Sequence, residues 1–353
     1  MLAPLHAQTR EATPMPYYSA AQAVKGLYVH DLPIRAQAFA NEAHELVSAT
    51  QGYCAGKVQN QALQERWVTA LELWQRLATP AIGPLVERRS QRAIDFWPSR
   101  DKLIRRALKK APRTLQDMGM VGTPAKGFGG FERLLAPAGD AGADWPSLPL
   151  RGSACSYLLM VAKDIDREGS ALLERSNAMA AKDWSDAEED VSRLFAEWVN
   201  QWLGGLERLR WAYIGKPLAQ AETAREVNPG APLSLARFNW AHNVRDWRAQ
   251  WASLSAMAVL SDAQRLIPPT GDDGVPPIEA LLLGKGYIDL AGRWHSAVAR
   301  VSSLVTDLDT SQPASHEKLK TLTDAMQAVA NLYQDEVASA LDVPLGFSDA
   351  DGD

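Results

Sequence analysis

Apolar residues recur at helical spacing along most of the chain, and no segment shows the strict alternation that predicts a half-buried β-strand. Between about Gln59 and Leu77, one face of the expected helix carries a stripe of large apolar side chains: Leu63, Trp67, Ala70, Leu71 and Trp74. Such a stripe must be buried against other helices, and bundles of about four helices are the usual solution. The pattern therefore predicts an all-α fold.

The same periodicity predicts where the long helices lie. Helices are expected over residues 36–49, 59–77, 100–113, 149–176, 185–213, 234–260, 286–308 and 314–341, with a further helical stretch running toward Asp95. Ser99 is a candidate N-cap for the third of these, and Gly215 with Pro217 is expected to end the helix that begins near Ser185. The spacings of the 12 tryptophans fit helix–helix packing, so we expect them in the core.

A short internal echo indicates two related halves. The segment GFGGFERLLAP (127–137) is similar to GVPPIEALLLG (274–284), since each has a glycine, four residues, a glutamate and then leucines. Each segment also follows a loop rich in Gly and Pro and precedes a long helix. We therefore predict two pseudo-repeated four-helix-bundle halves packed against each other, over residues 15–215 and 216–353.

Composition excludes two classes of partner. The net charge of −5 gives no bulk electrostatic attraction to nucleic acid. No run of 18 or more apolar residues occurs, so no transmembrane segment is expected. The helix at 100–113 is an exception to the acidic balance, because it carries a cluster of cations: Lys102, Arg105, Arg106, Lys109, Lys110 and Arg113. These form either a solvated face of an amphipathic helix or a docking surface for an anionic partner.

The two cysteines, Cys54 and Cys155, leave two alternatives open. Both could be buried as small apolar side chains. In an exported protein they could instead form a disulfide that stabilises the fold by about 4–5 kcal/mol in the chain-entropy model. The N-terminal segment has no basic region followed by an apolar one, so the protein is either cytosolic or an export signal has been removed from this sequence.

Local motifs for catalysis are absent. None of the six histidines belongs to an HExxH pattern, and the chain has no GxSxG, no GxxxxGK[ST] and no CxxC. In GFGGFERLL, the three glycines are expected to serve a tight loop and a close backbone approach before a short helix that begins at Glu132. The N–H groups at that helix start could hold an anion, and the helix dipole favours Glu132 there without any function. The ending GFSDADGD indicates a frayed acidic tail.

Several segments together resemble the imelysin-like family of bacterial cell-envelope proteins. The resemblance runs almost end to end through FANEAHELVSATQGYC (39–54), the Trp67/Trp74 helix with IGP (82–84), IDFWPSRDKLIRRAL (94–108), GFGGFERLL (127–135), RGSACSYL (151–158) and PLGFSDADGD (344–353). It implies two four-helix halves and a periplasmic protein or envelope lipoprotein whose signal has been removed. It also implies either a link to iron uptake or the metallopeptidase activity proposed when the family was named.

The family signature is GxHxxE at the interface of the halves, and this chain departs from it. Gly129 stands where the resemblance expects the metal-binding histidine, which leaves Glu132 as the only motif residue able to bind a metal. One carboxylate holds a transition metal poorly, because affinity comes from several donors in fixed geometry. We therefore predict no catalytic residue and no firm cofactor, although iron or another divalent metal stays open as an alternative.

The resemblance also marks further candidates for a ligand-binding cleft between the halves: Asp95, Trp97, Arg100, Arg151 and Ser156, with Glu132 and Gly129. The charged ones are expected to balance one another as buried ion pairs, while Trp97 packs and Ser156 caps. An alternative is that the space left at Gly129 admits a ligand with an acidic or polar group.

Three functions follow as hypotheses. The first is a non-catalytic ligand-binding or accessory protein of the envelope, connected with iron or haem uptake through a small ligand or a protein partner. The second is a metallopeptidase in which Glu132 acts with distant ligands such as His295 or the terminal aspartates. The third is an assembly factor that docks on an anionic surface through Lys102, Arg105, Arg106 and Lys109.

Overall fold

The computed structural model of the chain describes residues 15–137, 145–184, 187–270 and 274–346. Over these ranges the regular structure is helical and contains no β-strand, which confirms the predicted all-α class. The first part contains α1 (Ala20–Lys25), a π-helical turn (Gly26–Asp31), α2 (Leu32–Cys54), α3 (Asn60–Ala78), α4 (Pro84–Glu87), α5 (Ser90–Ile94), α6 (Asp101–Lys110), α7 (Leu115–Gly119), a 3₁₀ turn (Thr123–Ala125), α8 (Gly127–Leu135) and α9 (Gly152–Ala180).

The second part begins with α10 (Glu188–Glu207), a π-helical segment (Arg208–Gly215), α11 (Lys216–Val227), α12 (Trp240–Ala258) and α13 (Asp262–Leu266). It continues with α14 (Ile278–Gly284), α15 (Ile288–Thr306), α16 (His316–Leu332), a π-helical turn (Tyr333–Val337) and α17 (Ala338–Ala340). None of the described helices combines the length and apolar character that crossing a membrane requires.

Helix α2 is the centre of the first part, where it packs against α9 and α3. The predicted stripe on α3 is buried, and Trp74 contacts Phe39 of α2 with ring centroids 5.3 Å apart. The opposite side of α3 contacts α12, and α12 in turn contacts α15. The pair α3–α12 therefore joins the earlier and later parts of the chain, and the residues at its two ends line the sites described below.

Tryptophans also fill the later core, as their spacing predicts. Trp202 of α10 lies with its ring centroid 5.1 Å from that of Trp294 and 4.9 Å from that of Tyr333. All three side chains are fully buried. The predicted division into related halves stays a prediction, because helical packing of this kind does not test it.

Two predicted helix boundaries are wrong. The helix that starts at Glu188 does not end at Gly215, because a π-helical segment carries it into α11 as far as Val227. Pro217 sits at the start of α11, where a missing N–H costs least. Helix α12 begins at Trp240 and not near residue 234, since the side chain of Asn239 caps it by accepting the N–H of Ala241.

The glycine-rich segment is helical, which also differs from prediction. Helix α8 begins at Gly127, so Glu132 lies in its interior and not at its first turn. A Cβ at Gly127 would stand 2.1 Å from the carbonyl oxygen of Ile94, and one at Gly130 would stand 2.6 Å from that of Ala125. Gly127 and Gly130 therefore allow the close backbone approach that the sequence predicts, between α8 and the preceding chain, but they do not form a loop. The N–H groups at its start belong to buried residues, so the predicted exposed anion cradle does not form.

Two other predicted features are present. Helix α6 buries Ile104 and Ala107 and exposes Lys102, Arg106 and Lys109, as an amphipathic helix should, although its N-cap is Arg100 and not Ser99. The thiols of Cys54 and Cys155 are joined in a disulfide, with Cα atoms 5.7 Å apart. This bond connects the end of α2 to the beginning of α9.

Candidate functional site

Helix α8 buries Glu132 against a segment that comes from the later part of the chain. The Oε1 atom of Glu132 accepts the backbone N–H of Phe238 at 3.2 Å and lies 2.7 Å from Nδ1 of His242. The imidazole packs on the ring of Trp67 of α3, with centroids 5.2 Å apart. Glu132 is only 6% exposed, so this pair holds α8, α3 and α12 together in an environment largely without water.

The surroundings of Glu132 do not fit a resident metal ion. Its Oε1 atom is occupied by Phe238 and His242, while its Oε2 atom is buried without a hydrogen-bond partner in the described part of the chain. Structural and catalytic zinc sites take three or four protein ligands, but this position offers one carboxylate and one imidazole bound to each other. Within the described ranges no three His, Cys, Asp or Glu side chains are placed to hold a metal.

Arg237 is the centre of a second buried cluster directly beside this pair. Its Nη1 lies 2.8 Å from Oδ1 of Asp95, and its Nε lies 2.6 Å from Oδ2 of Asp246. Asp95 also accepts Nε1–H of Trp74 at 3.1 Å and an Nε2–H of Gln75 at 2.8 Å. One guanidinium thus connects the carboxylate that follows α5 to the carboxylate on α12.

Burial shifts the pKa values of Asp246 and Arg237 in opposite directions. Burial raises the pKa of Asp246 to about 6, with the charge of Asp95 adding to the rise and that of Arg237 opposing it. Burial lowers the pKa of Arg237, but the carboxylates of Asp246 and Asp95 more than compensate and raise it well above its ordinary value. Arg237 therefore stays charged, and Asp246 is the member that takes up a proton near neutral pH.

A cavity of about 210 Å³ opens next to Asp95. Its walls come from α5, from the turn that follows it and from the π-helical segment after α10: Gln91, Arg92, Asp95, Phe96, Trp97, Arg208, Ala212 and Tyr213. A π-helical turn re-aims side chains relative to a regular helix and is frequent at functional sites. The lining contains two arginines, Arg92 and Arg208, and one carboxylate, Asp95, so it has an excess of one positive charge.

The structure brings together only some of the predicted site residues. Asp95 and Trp97 line the cavity, and Glu132 lies beside Arg237 through its bond to Phe238. A Cβ at Gly129 would lie 3.4 Å from the carbonyl oxygen of Phe96 and 3.6 Å from Cβ of Ser99. The space expected beside that glycine is therefore filled by the turn after α5, and the cavity lies on the other side of this turn.

The predicted ion pairs among Asp95, Arg100, Glu132 and Arg151 do not form. Asp95 pairs with Arg237 and Glu132 with His242, while Arg100 and Arg151 are exposed. Ser156 is also exposed and donates its hydroxyl to the carbonyl of Gly152 one turn earlier in α9, so it does not cap the helix start. Asp95 and Glu132 instead contact side chains from the later part of the chain, because packing brings those side chains close.

Sequence reasoning missed three residues of this site, namely Arg237, His242 and Asp246. The last two are four residues apart and lie on one face of the predicted helix, which is the signal that could have marked them. His295, the predicted distant ligand that would act with Glu132, contacts a different glutamate: its Nδ1 lies 3.3 Å from Oε2 of Glu279. The terminal aspartates, considered for the same role, lie outside the described residues.

Glu279, the counterpart of Glu132 in the internal echo, makes parallel contacts. Its Oε2 accepts the backbone N–H of Leu260 at 2.8 Å and lies next to His295, just as Glu132 accepts a backbone N–H and contacts a histidine. Its Oε1 also pairs with Arg265 at 2.5 Å. Both glutamates therefore hold a short buried helix against other segments of the chain, a later one for Glu132 and both an earlier and a later one for Glu279.

Comparison with known families agrees with this architecture. The family model described as imelysin (peptidase M75) matches residues 34–239, which is more than half of the chain. The chain belongs to the imelysin family. The matched region begins within α2 and runs through α11, so it includes the glycine-rich α8 and the buried Arg237, but it ends before His242.

Two solved structures have the same fold. An imelysin-like protein from Psychrobacter arcticum 273-4 is 15% identical, has a TM-score of 0.66 and aligns over 94% of this chain and 99% of its own. A protein of Parabacteroides distasonis ATCC 8503 described as an iron-regulated protein A precursor is 13% identical, has a TM-score of 0.71 and aligns over 94% of this chain and 98% of its own. No curated protein matches the chain.

Proposed function

We propose that the protein is a non-catalytic binding protein of the cell envelope, located in the periplasm, that takes part in iron or haem uptake. Its ligand site is the cavity lined by Asp95 and Trp97, and its ligand carries a small acidic group. The observation that carries this proposal is the positive lining: Arg92 and Arg208 line the cavity with the single carboxylate of Asp95. Guanidinium groups and an aromatic face together bind carboxylates well.

The arrangement at Glu132 supports a role without catalysis. A hydrolytic zinc centre needs protein ligands and an open coordination position where water is activated. Here the side chain of Gly129 supplies no ligand atom, and the imidazole that contacts Glu132 in the described part of the chain, that of His242, is bound to the glutamate itself. The metallopeptidase alternative would require other ligands to replace these contacts.

Three observations support a location in the periplasm and a role in iron or haem uptake. A disulfide between Cys54 and Cys155 is typical of proteins in an oxidising compartment such as the periplasm. The family is that of imelysin, and one structural neighbour is described as an iron-regulated precursor. A cavity of 210 Å³ is smaller than the range for drug-sized ligands, about 300–1,000 Å³, so it suits one carboxylate-bearing group of an iron chelate and not a whole haem.

Calorimetric titration with ferric citrate, iron-free citrate and haemin tests ligand binding. We expect ferric citrate to bind the wild-type protein and Arg92→Gln or Trp97→Ala to weaken binding by about tenfold or more, since each removes a charge-assisted or stacking contact. Arg300→Gln is the matched control, because Arg300 is an exposed arginine of α15 away from the cavity. The ligand proposal fails if none of the three probes binds, or if both cavity variants bind as the wild type does.

Elemental analysis tests the absence of catalysis. Protein incubated with Fe²⁺ or Zn²⁺ and then desalted should retain less than one equivalent of metal and cleave no peptide substrate. Gly129→His restores the family signature at a position where a Cβ has normal contacts, so this variant provides the comparison. Stoichiometric, tightly held metal in the wild-type protein would support the metallopeptidase and overturn this part of the proposal.

A second candidate function, docking of an envelope partner or membrane surface through α6, is favoured by the exposure of Lys102, Arg106 and Lys109 on one side of that helix. Reversing these charges together with Arg105 should abolish binding to phosphatidylglycerol vesicles while leaving the helical circular dichroism unchanged. Retained vesicle binding, or no binding by the wild type, would remove this candidate.

A further inference from the structure

A different cavity, of about 490 Å³, lies between the beginning of α2 and the end of α12. Its volume is within the range of small-molecule sites. Ser253, on its wall, follows His242 by 11 residues on the same helix, which places the two roughly 16 Å apart along the axis. The cavity is therefore separate from the site beside Glu132.

Two polar atoms on residues of this cavity are buried without a partner. Nε2 of His30 and Nε of Arg35 make no hydrogen bond to any residue that the structure describes. Buried polar groups nearly always have partners, so an unpaired pair at a cavity indicates a bound molecule or water. His30 belongs to the π-helical turn Gly26–Asp31, a local structure that is frequent at functional sites.

The polar part of the lining favours an anion. Arg35 binds Asp31 through Nη2 at 2.5 Å and the carbonyl of Arg76 through Nη1 at 2.8 Å, which fixes its charge at the cavity. The side chain of Arg76 is exposed and contributes a second positive charge to the lining. Two arginines against one aspartate leave an excess of one positive charge.

The rest of the lining is apolar and suits a hydrocarbon body. Leu73 of α3, Met257 of α12 and Val275, which precedes α14, form part of the wall, together with the exposed side chain of Ile34. Burying hydrocarbon against such a wall removes apolar surface from water, which favours binding. A ligand with one charged end and an apolar remainder would satisfy both parts of the lining.

We propose that this cavity binds a small organic anion with an apolar body, of the medium-chain carboxylate class. The carboxylate pairs with the exposed guanidinium of Arg76, and the charge of Arg35 lies nearby. The hydrocarbon chain lies against Leu73 and Met257. This site is independent of the cavity beside Asp95, so either can fail without the other.

Calorimetric titration with octanoate tests the proposal, with octanamide as the uncharged probe of the same length. We expect octanoate to bind and octanamide to bind about tenfold or more weakly, because it lacks the charge-assisted hydrogen bonds. Arg76→Gln should weaken octanoate binding by a similar factor and leave octanamide unaffected, whereas Arg300→Gln should change neither.

A filling variant provides the steric test. Ala256 is exposed at the cavity, so Ala256→Trp should occupy the space and abolish octanoate binding without disturbing the core, while Ala256→Ser should keep it. Thermal melts establish that each variant is folded. The proposal is overturned if octanoate does not bind at millimolar concentration, which would mean that the cavity holds water alone. It is also overturned if a folded Ala256→Trp variant binds octanoate as tightly as the wild type.

Discussion

Replacing Arg237 by methionine would remove the cation that joins Asp95 to Asp246. The side chains of these three residues are at most 3% exposed, so neither carboxylate can recover its lost partner by turning to solvent. Removing one member of a buried ion pair costs about 3–5 kcal/mol. Asp95 keeps its bonds from Trp74 and Gln75, whereas Asp246 keeps only the one from Gln250 at 2.7 Å. Most of the loss should therefore come from Asp246.

Urea unfolding followed by tryptophan fluorescence measures the loss in free energy of unfolding. Arg245→Met is the matched control, since Arg245 also contacts two carboxylates, Glu65 and Glu72, but is 29% exposed. Partly exposed pairs contribute about 0–1 kcal/mol, so the control should lose at most that amount. Adding Asp246→Asn to Arg237→Met should recover a large part of the loss, because it removes the unpaired charge.

The pH dependence gives an independent check. Burial already raises the pKa of Asp246 to about 6 in the folded protein, and loss of Arg237 should raise it further. A carboxyl whose folded pKa lies above its unfolded value adds stability below the unfolded pKa and loses it as pH rises through the folded pKa. The Arg237→Met variant should therefore regain stability relative to the wild type as the pH falls from above 6 toward about 4. Equal losses in Arg237→Met and Arg245→Met, or no recovery at low pH, would refute the reasoning.

Two further predictions concern stability. Serine at both Cys54 and Cys155 opens a loop set by their sequence separation of 101, and should lower the free energy of unfolding by about 4–5 kcal/mol in the chain-entropy model; denaturant titration measures it, and an unchanged midpoint would contradict it. Gly127→Ala should destabilise the fold severely, because φ is +66° and the new Cβ would stand 2.1 Å from a carbonyl oxygen, whereas Gly129→Ala should be neutral or stabilising by up to about 1 kcal/mol. Thermal melts compare the stability of the two variants. Similar losses of stability would show that the close approach at Gly127 does not determine the cost of the substitution.

Local patterns were sufficient for the helices and for the fold class. The stripe with Trp67 and Trp74 and the amphipathic character of α6 follow from spacing alone, because helical periodicity is a property of neighbouring residues. Two local readings failed for physical reasons. Glycines before Glu132 indicated a loop, but they allow a helix to pack closely, and Gly215 with Pro217 indicated an end where a π-helical segment continues the helix.

The candidate site depended on tertiary structure. The sequence by itself marked Asp95, Trp97 and Glu132 and a glycine in place of the family histidine, but it paired the acids with Arg100 and Arg151. Packing of α12 against α3 brought His242 to Glu132 across 110 residues and Arg237 to Asp95 across 142. A buried charge pairs with the side chains that the folded core places within a few ångströms of it. The pairing therefore depends on long-range packing, and the periodicity of a single helix gives no information about it.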